Sequence, residues 1–198
     1  MQPKNCGVST ESTTDDPVAA AISANLTRSD SHRAVPLIIG IDPGASGAMV
    51  LLDPETRDLW RWQDMPTVES ATGRRLVSAP MVAETLCAWR SLAEATGRRV
   101  VAIVEEVGAM PGQGVSSMFS FGRSFGVLLG ALAALSIPVE MARPATWKRK
   151  AGIGADKGAA RRTAQERFPH RAELFARVRD DGRAEAALLA LWRGEGRE

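Results

Sequence analysis

The chain of 198 residues is 44% hydrophobic and 24% charged, a composition typical of one soluble globular domain with an appendage. Its 25 basic and 23 acidic residues leave a formal net charge of +2, too small to indicate a partner. The two cysteines, Cys6 and Cys87, are too few for a disulfide framework or a Cys/His zinc site and fit a reducing cytoplasm. No apolar run reaches the ~18 residues that cross a membrane, and the N-terminus lacks the order of a secretory signal. We therefore expect a cytoplasmic protein without a membrane span.

Residues 1–34 differ from the rest of the chain. They are rich in Ser, Thr, Asp, Asn and Ala, with little periodic hydrophobicity. Such a segment buries too little apolar surface to offset the conformational entropy lost on ordering. We predict a flexible N-terminal tail over 1–34 and one ordered domain over 35–198, in which no internal repeat is visible.

Three strand patterns open the ordered part. The apolar run from Leu37 to Asp42 indicates a central strand covered on both faces. A second strand is predicted over 48–53, and a third over 59–65, where apolar and polar residues alternate. Because the connecting turns are short, these strands favour an antiparallel meander.

Helices then alternate with strands. Ser78 and Pro80 are typical of a helix start, and this helix extends to about Gly97. The later predicted elements are a buried strand over 100–104, a long helix over 116–135, a strand over 137–141 and helical segments over 144–150, 156–168 and 181–192. This order predicts an α/β fold with a five-stranded mixed sheet, in which a three-strand antiparallel meander is joined to parallel strands and helices cover both faces. The layout resembles that of the RNase H-like superfamily.

Carboxylates end three of these elements. Asp42 closes the first strand, Glu105 closes the fourth, and Asp181 and Glu185 open the last helix. The first and fourth strands are expected to be parallel neighbours, and residues four apart share a helix face, so all four carboxylates would meet at one end of the sheet. Such a cluster repels itself unless cations are present, and Mg²⁺ prefers oxygen ligands. Two such ions about 3.5–4 Å apart can activate a water and stabilise the leaving oxygen of a phosphodiester.

Each carboxylate also has an ordinary structural interpretation. Asp42 precedes Pro-Gly and is a common turn opener, and Asp181 can serve as a helix cap or dipole partner. Glu106 competes with Glu105 for the inward position, and Asp180 competes with Asp181. The coincidence at three places that the topology brings together favours the functional interpretation.

Several motifs resemble those of the RuvC-type Holliday junction resolvases. Ile39-Gly40-Ile41-Asp42-Pro43-Gly44 is similar to their opening strand and turn, Val104-Glu105-Glu106-Val107 to their second acidic motif, and the segment from Asp181 to Leu188 to their closing acidic helix. The stretches 143–148 and 152–157 are similar to the basic region with which the family grips junction strands. The resemblance covers about residues 36–193, in the family's order, and a loop at Gly112-Gln113-Gly114 suggests a divergent, phage-type branch.

The resemblance implies a homodimer that nicks two opposed strands of a four-way DNA junction with Mg²⁺ or Mn²⁺, two ions per active site. It implies that Asp42, Glu105, Asp181 and Glu185 are metal ligands, and that Lys148 and Lys157 bind the backbone or stabilise charge. The family closes with two aspartates three apart, whereas here the position three before Glu185 is Gly182. Asp181 must therefore serve from one residue earlier.

Basic residues concentrate in one stretch. From Arg143 to Arg167 there are eight basic and two acidic residues, which favours a polyanion partner. The candidate DNA-binding residues are Arg143, Lys148, Arg149, Lys157 and Arg161. Their alternative interpretation is a solubilising helix face.

Three other functions compete with junction cleavage. An RNase H-like nuclease could act on forks or RNA–DNA hybrids instead. An actin-like ATPase has a similar strand–Asp–Gly start but needs two such domains, for which 198 residues with a tail are too few. A junction-binding protein without catalysis would have lost metal affinity through its altered acidic helix.

Overall fold

The computed structural model describes residues 34–71, 73–106, 108, 112, 114–154, 156 and 158–196. Val35–Glu198 form one compact unit. The predicted tail lies, except for Ala34, outside the described residues, and so does Lys157.

Apart from one small hairpin, the described strands and helices follow the predicted order. The strands are β1 (Leu37–Asp42), β2 (Ala48–Asp53), β3 (Asp58–Asp64), β4 (Thr67–Glu69), β5 (Arg75–Val77), β6 (Val100–Glu105) and β7 (Val139–Ala142). The helices are α1 (Ala79–Ala95), α2 (Val115–Ala134), α3 (Pro144–Lys150), α4 (Ala159–Arg167) and α5 (Asp181–Gly194), with 3₁₀ turns at Pro169–Phe175 and Val178–Asp180 between the last two.

The main sheet has five strands in the order β3-β2-β1-β6-β7. β1 and β2 pair antiparallel, as do β2 and β3, whereas β6 is parallel to both β1 and β7. This topology confirms the predicted meander joined to parallel strands. Because β1 and β6 are parallel neighbours, their carboxyl ends lie at the same edge of the sheet.

Helices cover both faces, each over its own apolar core. On one face, Leu86 of α1 and Leu128 of α2 pack against the side of β1 that carries Ile39. On the other, Trp147 of α3 and Leu188 of α5 pack with Ile38. The alternation along β1 sends successive side chains into the two cores, so a strand apolar at nearly every position is required at the centre.

α5 lies unusually close to β1, at Gly40. A Cβ on this glycine would overlap the carbonyl oxygen of Ala186 and come within 2.8 Å of the Ala190 Cβ. The buried face of α5 is rich in alanine, whose small side chain permits this approach. The close packing fixes how far α5 stands above the carboxyl end of β1.

A small hairpin of β4 and β5 was not predicted. Its two three-residue strands pair antiparallel from Thr67↔Val77 to Glu69↔Arg75, apart from the main sheet. Its strands are too short and too polar to produce a period-two hydrophobic pattern. The hairpin projects over the start of α2, since Leu76 and Val115 line the same cleft.

By length and composition alone, α2 could cross a membrane. Core helices of soluble proteins meet the same criterion, and in this chain α2 buries Leu128 and Leu132 against the sheet. Its opposite face is apolar and exposed, with Val115 84% and Phe119 74% exposed. The helix therefore has one face in the core and one face without a partner in the described part of the chain.

Candidate active site

Two carboxylates meet where β1 and β6 end. Ile41 pairs in register with Val104, so the next residues on the two parallel strands, Asp42 and Glu105, stand side by side. Both point to the face covered by α5. Ile38, four residues before Asp42, and Ile103, two before Glu105, lie in the core beneath α5, and residues an even number apart on a strand share a face. Two of the four predicted site residues are thus brought together by strand register.

Glu185 of α5 joins them, and a lysine lies between the carboxylates. Lys148 Nζ of α3 is 2.8 Å from Glu185 Oε2 and 3.2 Å from Glu105 Oε1. The three side chains are partly buried, with 28%, 15% and 31% exposed for Glu185, Glu105 and Lys148. Charged pairs shielded from water in this way interact more strongly than surface pairs.

Glu105, not Glu106, faces this cluster. The indole Nε1–H of Trp147 donates a hydrogen bond of 3.0 Å to Glu105 Oε1, and Trp147 itself is fully buried. Glu106 instead pairs with the exposed Arg143, with Arg143 Nε 3.2 Å from its Oε2. Trp147 was not predicted to have a role, and only its place directly before the basic residues of α3 could have suggested one.

Asp42 is set in a tight turn and loses much of its hydration. Gly47 returns so close that a Cβ there would overlap the carbonyl oxygen of Asp42, so this position accepts only glycine. Burial raises the pKa of Asp42 to about 7, with Glu185 and Glu105 adding to the rise. The backbone N–H of Gly44 and the Lys148 ammonium oppose the rise in pKa without cancelling it.

Asp181 does not join the three carboxylates in this structure, and its predicted role as a metal ligand stays a prediction. Its carboxylate accepts a hydrogen bond of 2.7 Å from Arg161 Nε and is half exposed. The residue that faces the sheet at this level is Gly182, whose added Cβ would lie 2.7 Å from both Gly47 Cα and Ser46 O. A shift of one residue turns a helical side chain by about 100°, which is why Asp181 points elsewhere.

Asp180, the alternative to Asp181, is also committed to other partners. It is 1% exposed and paired with Arg177 and Arg183. Burial alone would raise the pKa of Asp180, but the hydrogen bonds from Arg177 outweigh burial and hold this pKa below its usual value. Arg183 Nη2 also donates 2.7 Å to Asp64 Oδ2 at the end of β3. This network, which sequence reasoning missed, fixes the start of α5 to the sheet.

The predicted DNA-binding residues are placed unevenly. Arg143 and Arg149 are exposed on or next to α3, at the same edge of the sheet as the carboxylates. Arg161 is engaged by Asp181, and Lys148 lies inside the cluster. Lys157 lies outside the described residues, so its predicted role stays a prediction.

The donor set suits a hard divalent cation. Three carboxylates face one ammonium, so the cluster carries excess negative charge, and all its donors are the oxygens that Mg²⁺ and Mn²⁺ prefer. Within the described ranges, however, no three His, Cys, Asp or Glu side chains converge on a point that would hold a metal ion. The contacts of Lys148 give the reason, because its ammonium stands between Glu105 and Glu185.

The mixed five-stranded sheet with helices on both faces is also the fold of two solved structures of RuvC. A solved structure of T. thermophilus RuvC in complex with Holliday junction substrate superposes with a TM-score of 0.53 at 17% identity, over 80% of this chain and 92% of that one. A second, of Thermus thermophilus RuvC, gives 0.52 at 18% identity over 79% and 92%. No family model and no curated protein matches the sequence. The chain therefore has the RuvC fold.

Proposed function

We propose that this protein is a divalent-metal-dependent endonuclease that cleaves phosphodiester bonds in four-way DNA junctions. The observation that carries the proposal is the meeting of Asp42, Glu105 and Glu185, from three separate elements, beside the basic helix α3. The RuvC of similar fold was solved with a Holliday junction substrate, which supports the same substrate here.

Asp42, Glu105 and Glu185 would hold Mg²⁺ or Mn²⁺, with two ions per site as the proposed number. Bound there, the metal supplies an activated water and stabilisation of the leaving 3′ oxygen. Burial and the neighbouring carboxylates raise the pKa of Asp42 to about 7, so a cation bound there would compete with a proton. Lys148 bridges Glu105 and Glu185 and offsets their mutual repulsion. With a cation bound by the carboxylates, its ammonium would be available to bind a substrate phosphate. Trp147 holds Glu105 in position throughout.

Arg143 and Arg149 are proposed to contact the DNA backbone next to the site. Guanidinium groups on phosphates position a duplex without reading its sequence. Both side chains are exposed and lie within or next to α3, the helix that delivers Lys148. Binding at this surface is accordingly expected to weaken steeply with salt.

A homodimer follows from the symmetry of the substrate, because two opposed strands require two active sites related by a two-fold axis. We propose the exposed face of α2 as the interface. Gly122, Gly126 and Gly130 recur on it every four residues, and a Cβ added at any of them meets nothing within 4 Å. Such a flat face permits close approach of a second helix. Arg123, turned about 100° from Gly122 around the helix and lining the cleft under the hairpin, would be costly in a bilayer. A second copy is therefore favoured over a membrane.

A junction-binding protein without catalysis is the second candidate. It is favoured by the position of Lys148 between two carboxylates and by the absence of Asp181 from the cluster. The two candidates share the DNA-binding surface and differ only in metal affinity and chemistry.

The test is cleavage of a synthetic four-way junction beside a linear duplex, a fork and an RNA–DNA hybrid, each with and without Mg²⁺. Paired nicks in opposed strands of the junction alone, dependent on Mg²⁺ and lost in Asp42→Asn, are expected. Preferential cutting of the fork or the hybrid would show that the substrate is not the four-way junction. Junction binding without cleavage, unaltered by Asp42→Asn, would select the second candidate.

A further inference from the structure

A groove opens under the β4–β5 hairpin, beside the candidate active site. Its volume is about 540 Å³. It lies between the turn after Asp42, the hairpin and the first two turns of α2, and is lined in part by Ala45, Ser46, Arg74, Arg75, Ser117 and Ser120. A neighbouring cleft of about 420 Å³ shares Arg74 and Ser120 and continues to Arg123.

The groove is basic, and its arginines have no acidic partners. No ion pair joins Arg74, Arg75 or Arg123 to a carboxylate in the part of the chain that the structure describes. α2 contains no acidic residue. The hairpin's own Glu69 faces Gly73, 3.6 Å from a Cβ added there, and does not line the groove. Elsewhere in the described chain, by contrast, Arg98, Arg177 and Arg193 are all paired.

Arg75 connects the groove to the carboxylate cluster. Its Nη2 donates a hydrogen bond of 2.8 Å to the carbonyl oxygen of Ala45, and its Nε donates 3.2 Å to Thr67 Oγ1. These bonds fix the hairpin to the same turn that positions Asp42. A polymer lying in the groove would therefore pass the turn that follows Asp42, at the edge of the sheet where the carboxylates lie.

The lining combines guanidinium groups with hydroxyls. Ser46, Ser116, Ser117 and Ser120 all line the groove beside the arginines. Phosphate oxygens of nucleic acids are bound mainly by arginine, lysine and hydroxyl side chains. A series of such donors along a groove matches a chain of repeated phosphates better than a single anion.

We propose that this groove, named here the hairpin groove, binds the phosphodiester backbone of the DNA strand that continues from the cleavage site. The inference rests on the proposed function, since the site beside the groove is taken to act on a phosphodiester. The contacts are to phosphates, so binding is independent of sequence. The hairpin groove is distinct from the surface of α3 and α4 and lies on the other face of the sheet, with α2.

The test uses the cleavage-deficient Asp42→Asn protein, full length, with a synthetic four-way junction in Mg²⁺-free buffer. The double substitution Arg74→Ala/Arg123→Ala is expected to weaken binding about 10-fold and to reduce the slope of log K against log salt by about 1–2. Arg99→Ala is the matched control, because Arg99 is exposed and precedes β6 at the opposite end of the sheet. Arg75 is left unchanged, since it anchors the hairpin.

A second measurement locates the contact. Neutral methylphosphonates placed one at a time in the strand on either side of the cleavage site should weaken binding at two or three consecutive positions. At those positions, the methylphosphonates should not weaken junction binding by the double variant any further. Arg74→Lys/Arg123→Lys, which keeps the charge, should bind like the parent and excludes misfolding as the cause.

Equal affinity and equal salt slope for the double variant and Arg99→Ala would overturn the hairpin groove as a DNA site. That result would leave the nuclease proposal intact, because junction cleavage by the unsubstituted chain tests it separately. The opposite combination is also distinguishable. If the double variant binds the junction more weakly but the unsubstituted chain cuts no junction, the groove is supported and the proposed activity is refuted.

Discussion

Asp42 is expected to destabilise the folded protein, although the proposed activity requires this residue. Its carboxyl is packed beside Glu105 and Glu185, and its pKa is raised to about 7. The folded protein therefore holds this proton more tightly than the unfolded chain, whose ordinary value is 3.8. The stabilising contribution is fully present below about pH 4 and is lost as the pH rises through 7.

We expect metal-free protein to lose about 1–3 kcal/mol of unfolding free energy between pH 5 and pH 8 through Asp42. Asp42→Asn should remove this loss and raise the Tm at pH 8 by several degrees. The measurement is thermal unfolding in EDTA at both pH values. Taking the difference between wild type and variant cancels titrations common to both. An equal pH dependence in the two proteins would contradict the assigned environment.

Trp147 is expected to act through Glu105. Trp147→Phe keeps the buried aromatic ring but removes the 3.0 Å hydrogen bond to Glu105 Oε1. The expected cost is about 1–2 kcal/mol of stability and about 10-fold in junction cleavage, as is typical of groups that orient metal ligands. Chemical denaturation and single-turnover cleavage measure the two effects. Full cleavage activity in the variant would show that Glu105 needs no orienting partner.

At the scale of elements, the site depends on how closely α5 packs on β1. Gly40 has no room for a Cβ because the Ala186 carbonyl lies against it. Gly40→Ala is expected to cost about 3 kcal/mol by overpacking and to move Glu185 away from Asp42. Gly122→Ala is the control, because its added Cβ lies on the open face of α2 and should stabilise the helix slightly.

Urea unfolding at low protein concentration compares the two glycine variants as monomers. A Gly40→Ala protein as stable as Gly122→Ala would mean that α5 can adjust without consequence, contrary to the packing described.

The sequence predicted most elements because their signals are local. β1 is apolar at nearly every position, and α2 repeats apolar residues at helical spacing, so both were identified from the pattern alone. The β4–β5 hairpin was missed, since three-residue strands such as Thr67–Glu69 carry no periodicity. The contacts of Lys148 with Glu105 and Glu185 join residues about 40 apart in the chain, and no local pattern encodes them.

The position of the Asp181 side chain could not be predicted for a similar reason. The spacing of four between Asp181 and Glu185 correctly put both on one side of α5, but it could not say which flank contacts the β1–β2 turn. Gly182 occupies that contact against Gly47, and Arg161 takes the neighbouring carboxylate. Ligand assignment needs the helix rotation as well as the helix itself.

At the scale of the whole molecule, the proposed activity requires two copies of the chain. Gly126→Leu places a bulky side chain in the middle of the flat face of α2 and is expected to give a monomer in sedimentation equilibrium. That monomer should nick the two opposed strands of a junction independently. Ala95→Leu, on the exposed end of α1, is the control and should remain dimeric. A dimeric Gly126→Leu protein would place the interface elsewhere.

The account rests on Asp42, Glu105 and Glu185 holding a divalent cation, which Mn²⁺ binding measured by calorimetry tests most directly. Wild type is expected to bind Mn²⁺ with release of protons near pH 7, and Asp42→Asn to lose that binding, while Asp181→Asn, outside the cluster, retains it. Unchanged Mn²⁺ binding by Asp42→Asn, or its loss in Asp181→Asn alone, would contradict the account.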